Sequence, residues 1–249
     1  MNLSQHLCCA GTIYRTICRN ILGKKFEPEV RFLDRFISAG DTCLDIGAAE
    51  GRYTFIMARL AHPGTVFAFE PGTYSRKVLS AIIKFHRLQN AVIVSNALGN
   101  TEGKIMFIVP QKKRWNFGYS LAHLAPIHKE KPDGCLSEEV TMMTLDRFCA
   151  EKNVHAVDFI KCDVEGAEFL VFEGAIDTLR AHLPTVLCEL DPEFMKRYGH
   201  TPQQVSNLFY SLGYMIFALR PNLKRIPSVD RAGNYFFVHP DKIPVGIPR

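Results

Sequence analysis

The sequence predicts an α/β fold built on a mostly parallel sheet, and three observations carry that prediction. First, Thr42 to Gly51, T-C-L-D-I-G-A-A-E-G, reads as a short buried strand over Thr42 to Ile46 that runs into a tight glycine turn, with a helix from Arg52 to Ala61 behind it. Second, later strands follow, one at Thr65 to Glu70 that is a near-continuous apolar run and another at Val157 to Cys162. Strands of that kind are buried on both faces, as parallel sheets require. Third, the runs end in acids, Asp45, Glu70, Asp163 and Glu189. Open α/β sheets bind ligands at the carboxyl ends of their strands, so these acids belong to one crevice.

Composition sets the outer limits. A chain of 249 residues with 47% hydrophobic and 22% charged residues is long enough for a sizeable core, and we read it as a single globular unit with an N-terminal helical cap over 1–40 and the main domain over 41–249. The formal charge of +5 permits an anionic partner but requires neither nucleic acid nor a membrane. The eight cysteines form no C-x-x-C pair, which argues against a zinc site or a disulfide framework and for a reducing, cytoplasmic setting. No signal-peptide pattern and no long apolar run is present, so no membrane span is expected.

Residues 3–22 have Leu3, Leu7, Ile13, Ile17 and Ile21 at helical spacing, with Arg15 and Arg19 on another face. We read a helix lying across the domain, with a lid or a homodimer contact as the alternative. A second helix is expected over 28–39, with Pro28 in its first turn and Gly40 at its end. In the turn that follows the first strand, Gly47 and Gly51 carry no Cβ, so the backbone is able to bend sharply and approach a ligand. The helix start behind it offers unpaired N–H groups. Asp45 is placed to accept hydrogen bonds from a cation or amine. The spacing is not the three-glycine G-x-G-x-x-G of a pyrophosphate site. An acid followed by only two glycines suits a nucleotide-like ligand without phosphates that carries a positive group, and S-adenosylmethionine (SAM) fits.

Glu70 follows Gly51 by about 20 residues, where an acid in a βαβ unit reaches ribose hydroxyls. A helix is expected from Tyr74 to Leu88, then a strand over Ala91 to Ser95 leading to Asn96 and Ala97, which would border an adenine ring. Lys104 to Val109 and Val140 to Thr144 read as neighbouring strands. Between them, residues 110–139 look irregular and hold Lys112, Lys113, Arg114, Trp115, Tyr119, Ser120, His123 and His128. A long loop in a compact domain is usually functional or disordered, and this one is a candidate wall for the acceptor.

Leu145 to Lys152 reads as a short helix, and the strand Val157 to Cys162 ends in Asp163-Val164-Glu165-Gly166. One helix is expected over Ala167 to His182, a strand over Thr185 to Leu190, and a helix over Pro202 to Leu212 with Thr201 as N-cap. Tyr214 to Leu219 and Tyr235 to His239 would close the sheet as an antiparallel hairpin across a basic loop, Pro221 to Gly233. That arrangement gives a Rossmann-like, seven-stranded, mostly parallel sheet with a central loop insertion.

With these pieces in place the chain resembles the FkbM family of class I SAM-dependent methyltransferases. The matching residues are Leu44-Asp45-Ile46-Gly47-Ala48 with Gly51 and Tyr53-Thr54, then Phe69-Glu70-Pro71, Asn96-Ala97-Leu98-Gly99, Thr144-Leu145-Asp146, and Phe159 to Glu168. The resemblance spans roughly residues 40–240, and D-V-E-G-A-E is its most specific part. It implies SAM as cofactor, held by Asp45, Gly47, Ala48, Gly51, Tyr53, Glu70, Asn96 and Ala97, and a hydroxyl on a small molecule, sugar or natural product as acceptor. The chain departs from the family at Ala49, where asparagine is common, and in the bulkier Phe117 to Leu121 stretch.

A hydroxyl acceptor must lose its proton to a general base or a metal. Asp163 or Glu165 is the candidate base. The alternative is Mg2+ held by Asp163 and Glu189, since hard oxygen ligands suit that ion. Glu165 also has a structural reading, as a cap for the helix near Gly166, and Lys161 and Glu168 are read as structural pairs. Two other functions stay open at this point: methyl transfer to protein or RNA through the basic stretch Lys112 to Trp115, and SAM binding without catalysis.

Overall fold

The computed structural model describes residues 3–22, 26–113, 116–117, 121–125 and 133–247. Helix α1 (Leu3–Leu22) is followed by a 3-10 turn over Pro28–Arg35 and strand β1 (Cys43–Ile46). Then come α2 (Arg52–Ala61), β2 (Val66–Phe69), α3 (Thr73–His86) and β3 (Ala91–Val94). The insertion contributes β4 (Ala97–Leu98), β5 (Gly103–Val109), β6 (Gln111–Lys113), β7 (Asn116–Phe117), β8 (His123–Ala125) and β9 (Leu136–Met143). The chain returns through α4 (Leu145–Lys152), β10 (Phe159–Cys162), α5 (Glu168–Glu173), α6 (Ile176–His182) and β11 (Thr185–Leu190). It ends with α7 (Pro192–Met195), α8 (Pro202–Ser211), β12 (Met215–Leu219), β13 (Leu223–Ile226) and β14 (Gly233–Val238).

The main sheet has the order β13-β12-β14-β11-β10-β1-β2-β3. Its core is parallel, from β3 to β11, and β14 runs antiparallel beside β11 with β12 antiparallel beside it. The expected α/β architecture is present. The sheet gains an eighth strand at its edge, β13, inside the segment read as a basic loop. Only Leu223 of that strand is buried, while Lys224 and Arg225 are exposed, so its apolar signal is too short to register in the sequence.

Three other expectations change. The 28–39 segment is a 3-10 turn that ends at Arg35; Phe36 and Ile37 both donate to the Leu33 carbonyl, which closes it early. The single helix expected over Ala167 to His182 is two helices. Asp146 accepts from the N–H groups of Asp177 and Thr178 at 3.1 and 2.8 Å, and so caps a fresh helix start after the break at Gly174. The described residues of the 110–139 stretch are largely sheet rather than irregular. β9 pairs antiparallel with β5 from Gly103↔Met142 to Val109↔Leu136, in a second sheet of order β4-β9-β5-β8. Arg114, Trp115, Tyr119, Ser120 and His128 lie outside the described residues, as do the side chains of Lys112 and Lys113.

Two apolar layers cover the main sheet. One contains Leu44, Ile160, Val186 and Phe237, and the other contains Cys43, Phe159, Leu187 and Phe236. The alternation along each strand is what the two-residue period of a pleated strand demands. α1 docks on α3, where Cys9, Ile13 and Ile17 pack against Tyr74, Val78 and Ile82. Arg15 and Arg19 also face the body of the protein, Arg15 at a cavity mouth and Arg19 paired with Glu50 at 3.1 Å. Among the described residues seven cysteines are free, and no helix is long and apolar enough to cross a membrane.

Candidate active site

The second apolar layer turns polar at the carboxyl edge of the sheet. One pleat beyond Cys43, Phe159 and Leu187 stand Asp45, Lys161 and Glu189, and on the antiparallel β14 the corresponding step from Phe236 reaches Asn234. A cavity of about 440 Å³ opens there. Its wall includes Asp45, Gly47, Ala48, Tyr53, Glu70, Asn96, Ala97, Asp163 and Glu165, all proposed from the sequence. Gly51 is not in the wall. It starts α2, and a Cβ there would meet Leu79 of α3 at 2.5 Å, so helix packing also requires a glycine here. Glu189 is not in the wall; it stands on the neighbouring strand, close enough to Asp163 for the two charges to interact.

The floor is the turn after β1. Gly47 and Ala48 donate their N–H groups to the Phe69 carbonyl at 3.0 and 2.9 Å, which ties the turn to β2. Gly47 has φ +82, and a Cβ there would meet the Asp163 carbonyl oxygen at 1.9 Å. The two strand ends therefore close together only because this residue is glycine. Ala49 takes φ +46, a left-handed conformation that asparagine adopts more readily than alanine, which gives a backbone reason for the asparagine common at this place in the family.

Both acids at the ends of β1 and β2 are held. Asp45 accepts from the Thr54 hydroxyl at 2.5 Å, and burial pushes its pKa up to about 6. Glu70 accepts the Ala49 N–H at 2.8 Å on one oxygen and the Gly72 N–H at 2.7 Å on the other. Burial outweighs these bonds and raises it to about 7. Each carboxylate oxygen keeps a second lone pair for a ligand.

The turn after β10 separates the two readings of Glu165. Glu168 accepts the N–H groups of Val164 and Gly166 at 3.0 and 3.1 Å and so ties the turn, while the helix start behind it has no side-chain cap, from Glu165 or any other residue. Glu165 instead takes φ +57 and lines the cavity. Non-glycine residues in this region cost of order 1–3 kcal/mol and cluster at functional sites. Burial raises Glu165 to about 8, helped by the charges of Asp163, Glu189 and Glu168. Glu189 rises to about 7, from burial and then Asp163.

The magnesium alternative gains no support from what surrounds these acids. Asp163 faces the Lys161 ammonium at 3.6 Å, a cation supplied by the chain itself. Among the described residues no group of three or more His, Cys, Asp or Glu side chains is arranged to hold a metal ion.

Several site residues have no sequence signal of their own. Glu27, ahead of β1, accepts from the Tyr53 hydroxyl at 2.6 Å and from Asn234 Nδ2 at 3.2 Å. The insertion sheet supplies Phe107 and Leu124 to the wall. It is pinned there by Tyr198, whose hydroxyl accepts from the Leu124 N–H at 3.0 Å and donates to its carbonyl at 3.1 Å.

Asp45, Glu70, Glu165, Glu168 and Glu189 all hold their protons more tightly folded than unfolded. The sign is fixed by linkage: the folded state binds more protons through this range, so stability falls as pH rises. His86, lowered by burial, opposes the trend. The urea midpoint of the ligand-free protein should drop between about pH 5 and pH 8; a rising midpoint would contradict these assignments.

Comparison with known proteins agrees with this architecture. The chain is 26% identical over 171 residues to the 31-O-demethyl-FK506 methyltransferase FkbM of Streptomyces tacrolimicus, covering 61% of this chain and 65% of that protein. The crystal structure of methyltransferase FkbM from Methylobacillus flagellatus KT has the same fold, with a TM-score of 0.53 at 14% identity over 82% of this chain and 44% of that one. The chain thus spans less than two thirds of the length of either relative. A family model described as the methyltransferase FkbM domain matches residues 45–216, and the chain belongs to that family.

Proposed function

We propose that the chain is a SAM-dependent O-methyltransferase acting on a hydroxyl of a small molecule, sugar or natural product. The observation that carries this reading is the placement of Asp163 and Glu165 in the wall of the same cavity as the Gly47 turn and Glu70. The residues fit SAM: a close-approach turn without a Cβ at Gly47, a buried acid with free lone pairs at Glu70 for the ribose, and Asn96 and Ala97 for the adenine edge. Bound SAM supplies an electrophilic methyl group on a sulfonium.

The chain's own residues do the rest. The wall positions the acceptor oxygen in line with the methyl group, and orientation of this kind supplies several kcal/mol of the barrier. Glu165, raised to about 8, is the base that takes the hydroxyl proton near neutral pH. Asp163 sits beside it in the wall and orients the hydroxyl. Phe107 and Leu124 add apolar surface to the same cavity, which suits a ring-bearing alcohol. The Streptomyces tacrolimicus relative is named for methyl transfer to 31-O-demethyl-FK506, which supports an oxygen acceptor here. The test is incubation with methyl-labelled SAM and a panel of hydroxylated acceptors, read by mass. Label appearing on oxygen is the expected result; label on nitrogen or carbon would overturn the proposal.

A further inference from the structure

We propose that Lys161 is a positioning residue for methyl transfer: its buried ammonium takes the place of a divalent cation and holds the Asp163 carboxylate in the cavity wall. The inference rests on the O-methyl reading above.

Lys161 lies in the middle strand of the sheet, in the apolar run Phe159-Ile160-Lys161-Cys162, and its side chain is 1% exposed. Burying a charge there is costly unless it is paired, and an apolar side chain of similar volume would stabilise a core at least as well. Core packing therefore gives no reason for a lysine. Its surroundings do. The Nζ lies 3.6 Å from Asp163 Oδ2, 3.3 Å from Asn234 Oδ1 and 5.1 Å from the centre of the Tyr53 ring. Glu189 on β11, Glu27 and Glu29 ahead of β1, and Asp45 on β1 complete the charged groups facing it, with the Cys188 thiol beside them.

The ammonium is thus a fixed cation inside a ring of acids, and it reaches the cavity wall. It is not itself a base. Burial favours its neutral form, but Asp163, Glu189 and Glu27 outweigh burial and keep it protonated. Two members of its shell, Glu27 and Asn234, lie outside the 45–216 family match, so the cation is held in part by segments that flank the matched region.

The test is a kinetic double-mutant cycle on the full chain. Lys161→Met and Asp163→Asn are compared with the double variant, with SAM affinity measured by calorimetry for each. If Lys161 acts through Asp163, each single change lowers kcat by about tenfold or more, and the double variant is no slower than Asp163→Asn. SAM affinity stays within a few-fold. If the single lysine variant fails to fold, the double variant, which removes both charges, still gives the decisive comparison with Asp163→Asn. Multiplying losses, or a lowered folding midpoint with wild-type kcat, would overturn the proposal. A wild-type protein that binds SAM but methylates no hydroxyl overturns the O-methyl reading, and the Lys161 role falls with it. An additive cycle in an active enzyme removes the Lys161 role alone.

Discussion

Gly47→Ala should both destabilise the protein, by about 3 kcal/mol or more, and abolish SAM binding. The new Cβ would stand 1.9 Å from the Asp163 carbonyl oxygen and 2.9 Å from its carbon. Both are backbone atoms, so no side-chain rotation relieves the clash. The φ of +82 adds a further penalty for any L-residue. Relief would require β1 and β10 to part at their carboxyl ends, breaking the 3.0 Å bond from the Asp163 N–H to the Ile46 carbonyl. Asp163 would then leave its place opposite the turn. A urea titration measures the stability loss, and calorimetry measures the lost SAM affinity. A variant with wild-type values of both would contradict the close approach.

Glu165→Gln should lower kcat by about 10²–10⁴-fold and remove the pH dependence that the wild type shows. The sign follows from the direction of the shift. Burial and neighbouring negative charges raise Glu165 to about 8, so its basic form accumulates only as pH approaches that value. Wild-type kcat should therefore climb through neutral pH and level off above about 8, whereas the glutamine variant should be flat and slow. The side chain that ties this turn is Glu168, not Glu165, so the substitution leaves the turn's hydrogen bonds in place. A pH profile unchanged in shape would assign the base elsewhere, with Asp163 next.

The parts of the fold most legible in the sequence were those written as continuous pattern. The buried runs ending in Asp45, Glu70, Asp163 and Glu189 placed the carboxyl edge of the sheet, and the turn at Gly47 placed the floor of the cavity. Gly51 is less legible because the same residue type meets two different needs, close approach to a ligand and close packing of helices, and only the structure shows Leu79 packed against it. The network around Lys161 was not legible because Glu27, Tyr53, Lys161 and Asn234 come from four distant segments, and only the sheet register brings them together. A lysine inside an apolar strand was nevertheless a signal. On the face shared with Phe159 it had to be buried, and a buried ammonium needs partners. The insertion looked irregular because its strands are interrupted by turn residues and pair across about 30 residues of chain.

The most direct measurement of the account is titration calorimetry of SAM into the wild type and into Glu70→Gln. Glu70 accepts one backbone N–H on each oxygen, and an amide would set its NH2 group against one of those donors while giving up an acceptor for the ribose. The account predicts one SAM bound per wild-type chain and at least tenfold weaker binding in the variant, about 1.4 kcal/mol. No binding to the wild type, or equal affinity in the two proteins, would contradict the assignment of this cavity as the SAM site.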